Sequence, residues 1–161
     1  HVFDGRPAGC PSLSPMSVIE KTVLVAHTPV QMFDLVDRCE DYPKFLPWCG
    51  GSEVQSRDEK ITRATLHINY HGIKSHFSTE NDKDYPRRMH IRLTDGPFTH
   101  LDGSWNFIPL GDVACKVEFN LHYEFSSRLI EKAVGPVFNH IANTFVDSFV
   151  KRAGQVYGGK A

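Results

Sequence analysis

The feature that most constrains this chain is a long alternation of apolar and polar residues. Between Val113 and Phe125 every second residue is apolar. Shorter runs with the same period lie within residues 60–70, 73–81, 89–94 and 101–107. Because successive side chains of a β-strand point to opposite faces of the sheet, this period indicates strands with one buried and one solvated face. Linkers of hairpin length between the runs predict an antiparallel meander.

The pattern differs near the start of the chain. Residues 17–26 are rich in Val and Ile and predict a first strand. Thr28 is a good N-cap and Pro29 suits the first helical position, so a short helix is expected from there to about Asp37. A break and a second short helix are expected within residues 39–45, before the strands begin.

The last segment has helical periodicity. Apolar residues recur every three or four positions between residues 134 and 153, which predicts a long amphipathic helix ending near Tyr157. Gly135-Pro136 interrupts the start of this pattern. We therefore expect residues 127–134 to form a kinked first section or a separate short helix.

This order of elements predicts an α+β fold. A curved antiparallel sheet of seven strands would wrap around the long C-terminal helix, and the two short helices after the first strand would close one end. Residues 16–157 are expected to form this single domain. Residues 1–15 lack any periodic pattern and suggest a disordered leader or an expression remnant, and residues 158–161 suggest a frayed tail.

Composition excludes several classes of function. Lys plus Arg total 18 and Asp plus Glu total 19, a net charge of −1, so no general basic field gathers nucleic acid and no DNA partner is expected. No stretch approaches the roughly 20 apolar residues of a membrane span, so membrane contact would be at most peripheral. The four cysteines lack zinc-site spacing and suit reduced thiols in a cytosol-like compartment.

Candidate catalytic or metal-binding residues are few. The sequence has no nucleophile motif, phosphate-binding loop or dinucleotide fingerprint. His67, His71 and His76 lie close together in the chain, but without an acidic or Cys partner at metal spacing they are interpreted as surface histidines. Lys83 and Arg87-Arg88 form a small cationic cluster that is more typical of a solvated surface than of an RNA site. We expect neither a catalytic site nor a metal site.

A curved sheet that wraps a helix can leave space between the two. Seven residues are candidates to line such a cavity: Phe98, Trp105, Phe107, Tyr123, Phe138, Ile141 and Phe145. The alternative is that these side chains simply fill the interior, since protein cores are close-packed. The sequence leaves both readings open.

A second apolar cluster follows the short helices. Phe45, Leu46, Pro47 and Trp48 precede a Gly-Gly turn. An apolar loop is costly unless it covers something, so these residues are a candidate lid at the mouth of the cavity. The alternative is a plug that caps the core.

Several segments together resemble one protein family. They are Tyr42–Cys49, Asp95–Phe98 with Leu101–Leu110, Ala114-Cys115 with Glu118-Phe119, Tyr123–Phe125 and the helix start around Leu129. With these segments the chain resembles the coenzyme-Q-binding START-like proteins and the bacterial ribosome-association toxins of the RatA type. The resemblance spans residues 18–157, and the wider superfamily is that of polyketide cyclases and dehydrases.

The resemblance implies a helix-grip fold with a hydrophobic tunnel between sheet and helix. In some relatives this tunnel holds the isoprenoid tail of ubiquinone and the protein supports quinone function in respiration. In bacterial relatives the implied partner is the large ribosomal subunit, whose joining is blocked, and the implied location is the bacterial cytoplasm or the membrane periphery. A third implied alternative is an aromatase/cyclase-type enzyme.

We therefore expect non-catalytic binding of an isoprenoid ligand, ubiquinone first, with no other cofactor. Burial of a prenyl chain stabilises a complex by about 0.8 kcal/mol per methylene-sized group. A quinone head group also needs polar partners near the mouth. Tyr70, Asn120 and Tyr123 are the candidates for that role.

Overall fold

Seven antiparallel strands form one sheet in the computed structural model, which describes residues 16–158. The strands are β1 (Ser17–Val25), β2 (Cys49–Arg57), β3 (Ile61–Tyr70), β4 (Ile73–Asp84), β5 (Arg88–Asp95), β6 (Phe98–Leu110) and β7 (Ala114–Phe125). Their order across the sheet is β1-β7-β6-β5-β4-β3-β2, so β1 pairs with the last strand and β2 to β7 form a meander. The expected leader and residues 159–161 of the expected tail lie outside the described residues.

Three helical segments accompany the sheet. They are α1 (Pro29–Asp37), a 3-10 helix (Cys39–Lys44) and α2 (Arg128–Tyr157). The predicted start of α1 is confirmed, because the backbone N–H of Gln31 donates to Thr28 Oγ1 at 3.1 Å and the N–H of Thr28 donates to Gln31 Oε1 at 2.9 Å. This reciprocal capping box satisfies two backbone donors that a helix start would leave unpaired.

The helix α2 is continuous through Gly135-Pro136, so the separate short helix expected over residues 127–134 is wrong, and the kinked first section stays a prediction. Ser127 caps the helix, which then runs for 30 residues with Pro136 inside it. A proline also clashes with the backbone N–H and the Cβ of the residue before it, and Gly135 has no Cβ. Gly135 is also buried where the ring of Phe125 approaches it, so tertiary packing supports the helix through this position.

The sheet wraps around α2 as expected. In β7 the residues that face the helix, from Cys115 to Phe125, are all buried, and the residues between them are partly exposed. The buried residues of α2 recur at helical spacing, which gives it one core-facing stripe. Trp105 of β6 lies against this stripe, with ring centroids 5.8 Å from Phe145 and 5.4 Å from Phe149.

Two strands are longer than their hydrophobic pattern predicts. The sequence pattern indicates only a short strand over residues 52–56, whereas β2 spans Cys49–Arg57, because two irregularities in its pairing with β3 break the alternation that marks a strand. β4 was expected to end near Asn81 and continues to Asp84, through charged residues. Backbone pairing with β5 holds this extension, and pairing leaves no hydrophobic signature in the sequence.

Gly103 of β6 has no room for a side chain. A Cβ at this position would lie 2.3 Å from the backbone oxygen of Asn120 on β7. The neighbouring backbone cannot move without disturbing the β6–β7 pairing, in which Gly103 is opposite Leu121. We expect Gly103→Ala to lower the free energy of unfolding by about 1–3 kcal/mol, measured by urea denaturation.

The matched control is Gly154→Ala in α2. Apart from its chain neighbours and the adjoining backbone of its own helix, no atom lies within 4 Å of the added Cβ. Alanine is the better helix former, so this variant should be as stable as the parent or more stable by up to about 1 kcal/mol. Equal losses in the two variants would contradict the steric explanation.

Candidate functional site

A cavity of about 60 Å³ lies between the sheet and α2. Its walls come from the α1 end, the 3-10 helix, strands β3 to β7 and α2. The lining residues are Val36, Cys39, Tyr42, Trp48, Ala64, Leu66, Phe77, Thr79, Asn81, Met89, Ile91, Leu101, Trp105, Phe119, Leu121, Phe138, Ile141, Ala142 and Phe145. The wall is therefore almost entirely apolar and rich in aromatic rings.

Five of the predicted site residues line this cavity. They are Trp48, Trp105, Phe138, Ile141 and Phe145. The other six predicted residues do not: Phe45, Leu46, Pro47, Phe98, Phe107 and Tyr123. The structure thus brings five of the eleven predicted residues together in the cavity wall and places the other six outside it.

Two groups of predicted aromatic residues lie at opposite ends of the interior. At one end Phe98 and Tyr123 each pack on Phe138 with ring centroids 4.8 Å apart, and the Tyr123 hydroxyl donates to Asn139 Oδ1. At the other end Phe107 packs on Phe33 of α1 at 5.9 Å. These rings close the ends of the core beyond the cavity.

The Phe45–Trp48 segment covers the core from the side of the 3-10 helix. Leu46 and Trp48 are buried, whereas Pro47 is exposed. The Phe45 ring packs on Phe149 at 5.2 Å and carries the guanidinium of Arg152 at 5.1 Å above its face. Since Trp48 also lines the cavity, this segment is both part of the wall and its cover.

The cavity is small compared with the hydrophobic tunnel that the resemblance implied. Sites for small molecules usually enclose about 300–1,000 Å³, far more than this cavity. Phe145 is one of the rings that fill the interior, with its centroid 6.3, 5.8 and 5.6 Å from those of Trp48, Trp105 and Phe119. A prenylated guest would have to displace side chains of this kind.

Sequence reasoning missed the polar part of the wall. Thr79 and Asn81 face inward from β4, and Cys39 and Tyr42 face inward from the 3-10 helix. The period of two that begins at Phe77 would have placed Thr79 and Asn81 on the inner face. Their polar character concealed them from a search for apolar residues.

The thiol and phenol of the wall are held in their neutral forms. Burial raises the pKa of the Cys39 thiol to about 12 and raises the pKa of Tyr42 well above its usual value. The Tyr42 hydroxyl donates to the backbone oxygen of Val36. Neither group is therefore a ready base or nucleophile near neutral pH.

The three residues proposed for a quinone head group do not line the cavity. Asn120 alternates with the buried residues of β7, so it lies on the outer face, where its Nδ2 donates to Ser104 Oγ at 2.8 Å. Tyr70 stacks on His140 with ring centroids 5.6 Å apart. The expected role is wrong for Asn120, because alternation places it on the outer face. For Tyr70 and Tyr123 a place near the mouth stays a prediction.

Lys83 is not part of an exposed cationic cluster, as the sequence had suggested. Its side chain is only 5% exposed, and its Nζ lies 3.2 Å from Asp37 Oδ2 at the end of α1. The hydroxyl of Thr62 donates to the other carboxylate oxygen of Asp37 at 2.8 Å. This cluster ties α1 and the adjoining 3-10 helix, which carry part of the cavity wall, to β3 and β4.

The clustered histidines lie on the outer face of the sheet. His67 and His76 are opposite each other on β3 and β4, and each is near a carboxylate: Glu53 at 3.5 Å and Asp95 at 3.3 Å. Within residues 16–158 no group of three His, Cys, Asp or Glu side chains is arranged to hold a metal ion.

The family assignment agrees with this fold and interior. The family model described as polyketide cyclase / dehydrase and lipid transport matches residues 25–150. The chain belongs to this family. The match spans α1, all strands from β2 to β7 and most of α2, the elements that surround the cavity.

Two named relatives place the chain more closely within it. A ribosome association toxin RatA of Vibrio cholerae is 41% identical over 143 residues, which are 89% of this chain and 99% of that protein. The mitochondrial coenzyme Q-binding protein COQ10 homolog B of Xenopus laevis is 30% identical over 132 residues, which are 80% of this chain and 54% of that protein. The resemblance recognised in the sequence is confirmed.

Solved structures confirm the helix-grip fold. The Zhui aromatase/cyclase of a Streptomyces species superposes with a TM-score of 0.72 at 16% identity, covering 91% of this chain and all of that one. At this identity the likeness concerns the fold alone. Within the described part of the chain, no helix is long and apolar enough to cross a membrane.

Proposed function

We propose that this protein binds an isoprenoid small molecule, ubiquinone first, in the interior between the sheet and α2. The observation that carries the proposal is the cavity itself, whose wall is built from aromatic and aliphatic side chains of both layers. The relation to a coenzyme Q-binding protein supports a prenylated ligand. Apolar surface that leaves water gives the binding free energy without any charged partner.

The proposed role is binding without catalysis. General acid–base catalysis needs a proton donor and acceptor within reach of the ligand. The lining residues that the structure describes include no His, Asp, Glu, Lys or Arg. The buried Cys39 and Tyr42 keep their protons near neutral pH. The proposed function of the interior is therefore binding without proton transfer to the ligand.

Entry of the ligand requires the wall to open, and the Phe45–Trp48 segment is the proposed route. It follows a short 3-10 helix, and its contacts with α2 are made by side chains, Phe45 on Phe149 and Trp48 near Phe145. Displacement of these rings would connect the cavity to the surface without breaking the sheet.

The test is uptake of ubiquinone from vesicles. The protein is incubated with ubiquinone-containing vesicles, separated by gel filtration, extracted with organic solvent and analysed by mass spectrometry. Ala142→Leu places three more carbon atoms into the cavity wall and should reduce retained quinone about tenfold, the equivalent of roughly 1.4 kcal/mol.

The matched control is Ala133→Leu, the same change at an exposed position of the same helix. It should retain quinone as the parent does, with thermal unfolding recorded for all three proteins. A parent protein that returns no quinone, or equal retention by the two variants, would contradict binding in this interior.

Ribosome association is the second candidate. It rests on sequence, since the relative named for this property is more similar, at 41% identity, than the coenzyme Q-binding relative at 30%. Cosedimentation with isolated large and small ribosomal subunits at moderate salt tests it. Binding to the large subunit that is unchanged by Ala142→Leu would assign ribosome association to the surface rather than to the cavity.

A further inference from the structure

The guanidinium of Arg152 lies over the ring of Phe45, the first residue of the segment that covers the cavity. Its central carbon is 5.1 Å from the ring centroid, within the distance at which a cation is attracted to the face of an aromatic ring. In the part of the chain that the structure describes, no carboxylate forms an ion pair with Arg152. The Phe45 ring is therefore the group that this charge contacts.

Two side chains of α2 hold the Phe45 ring. Phe149 meets it edge to face, with the ring centroids 5.2 Å apart and the ring planes at 82°. Arg152 follows Phe149 by three residues, so both side chains lie on the same side of the helix. The Phe45 ring can leave this position only by separating from both of them.

The segment is fixed at its ends and held by side chains toward α2. The backbone N–H of Leu46 donates to the oxygen of Tyr42, and the N–H of Asn69 donates to the oxygen of Trp48, each at 2.9 Å. Phe45 is only half-buried, whereas Trp48 is buried and lines the cavity. Separation of Phe45 from α2 would therefore be the step that lets the segment move and the wall open.

We infer that Arg152 is a latch, a contact that must break before the Phe45–Trp48 segment can open, and that it sets how fast a ligand enters and leaves. This inference rests on the proposed function and adds a control of ligand exchange at the same site. The contact lies outside the cavity, so it forms in the closed protein with or without a ligand. Its loss should speed entry and exit by the same factor and leave the dissociation constant unchanged.

Opening is measurable without a ligand. The indole N–H of Trp48 is buried and has no hydrogen-bond partner among residues 16–158, so burial alone shields this proton from solvent. Arg152→Met removes the charge and keeps an unbranched side chain. A cation–π contact at an exposed site is worth a factor of about two to five in an equilibrium. Exchange of the Trp48 indole proton, followed by nuclear magnetic resonance, should be faster by that factor in Arg152→Met.

Ligand exchange is measured by stopped-flow fluorescence. The sequence contains two tryptophans, Trp48 and Trp105, and both line the cavity. A quinone bound in the cavity should quench their fluorescence. The probe is ubiquinone with a single isoprene unit. Arg152→Met should raise both its association and its dissociation rate constant by about two- to fivefold, with the dissociation constant unchanged.

Three further variants assign the effect to the contact. Lys151→Met removes a charge from the neighbouring exposed position and should behave as the parent does in both measurements. Arg152→Lys keeps a cation and should fall between the parent and Arg152→Met. In a Phe45→Leu background, Arg152→Met should change neither rate further, because the ring on which the latch acts is gone. Thermal unfolding verifies that each variant is folded.

The outcomes separate this inference from the proposed function. If quinone quenches the parent but both exchange rates are the same in Arg152→Met and Lys151→Met, the latch is wrong and ligand binding stands. If quinone does not quench the parent, the proposed function fails, and exchange of the Trp48 proton still decides whether Arg152 holds the segment closed. A dissociation constant that rises in Arg152→Met would also contradict the latch, because it would make Arg152 a contact of the bound state alone.

Discussion

Replacement of Asp37 by alanine should lower the free energy of unfolding by about 3–5 kcal/mol, because it leaves the Lys83 ammonium buried without its counter-charge. The Lys83 side chain is 5% exposed and that of Asp37 is 16% exposed, so water cannot replace the lost partner easily. The Thr62 hydroxyl would lose its acceptor as well. Chemical denaturation of Asp37→Ala measures the loss.

Two further variants identify the cause. Combining Asp37→Ala with Lys83→Met should restore much of the lost stability, since a buried methionine needs no counter-charge. Arg87→Ala removes an exposed pair with Asp84, in which both side chains are more than half exposed, and should change stability by at most about 1 kcal/mol. If the double variant is as unstable as Asp37→Ala alone, lost packing around α1, and not the unpaired charge of Lys83, causes the loss of stability.

The Asp37 cluster also links stability to the candidate site. Val36 lies just before Asp37 and Cys39 just after it, and both line the cavity. Loosening of this end of α1 would therefore loosen the wall next to the 3-10 helix. We expect Asp37→Ala to lose quinone retention together with stability, unlike Ala142→Leu, which acts on the cavity directly.

The architecture was predictable because its signals are local. The alternation from Val113 to Phe125 appears in the structure as β7, with its inward residues all buried. The helical spacing between residues 134 and 153 likewise became the core-facing stripe of α2. Each signal depends on the period of side chains along one element, and the sequence displays that period directly.

The site was only partly predictable because its signals are not local. Lysine is a residue type usually found at the protein surface. Only the position of Asp37 on another element explains the burial of Lys83. Asn120 has a side chain that could bind a polar head group, but it lies on the outer face of β7. The size of the cavity depends on how aromatic rings from separate elements fit together, and ring packing has no one-dimensional pattern.

The remaining prediction concerns Phe145, one of the aromatic residues that line the cavity. Phe145→Ala should lower the free energy of unfolding by about 3 kcal/mol, because it removes ring contacts with Trp48, Trp105 and Phe119. The same change enlarges the cavity, which Phe145 lines. We expect the folded variant to bind the apolar hydrocarbon myrcene more tightly than the parent does. Calorimetry below the unfolding temperature of the variant measures both affinities.

Phe125→Ala is the control for the expected combination of lower stability and higher affinity for myrcene. Phe125 is 3% exposed and packs on Phe98 at 5.2 Å, at the end of the core beyond the cavity. Its loss should destabilise the protein by a similar amount without raising the affinity for myrcene. A gain in affinity for myrcene that is confined to Phe145→Ala would locate apolar binding at the cavity. Reduced affinity in that variant would contradict the prediction and would mean that the Phe145 ring contacts the bound molecule.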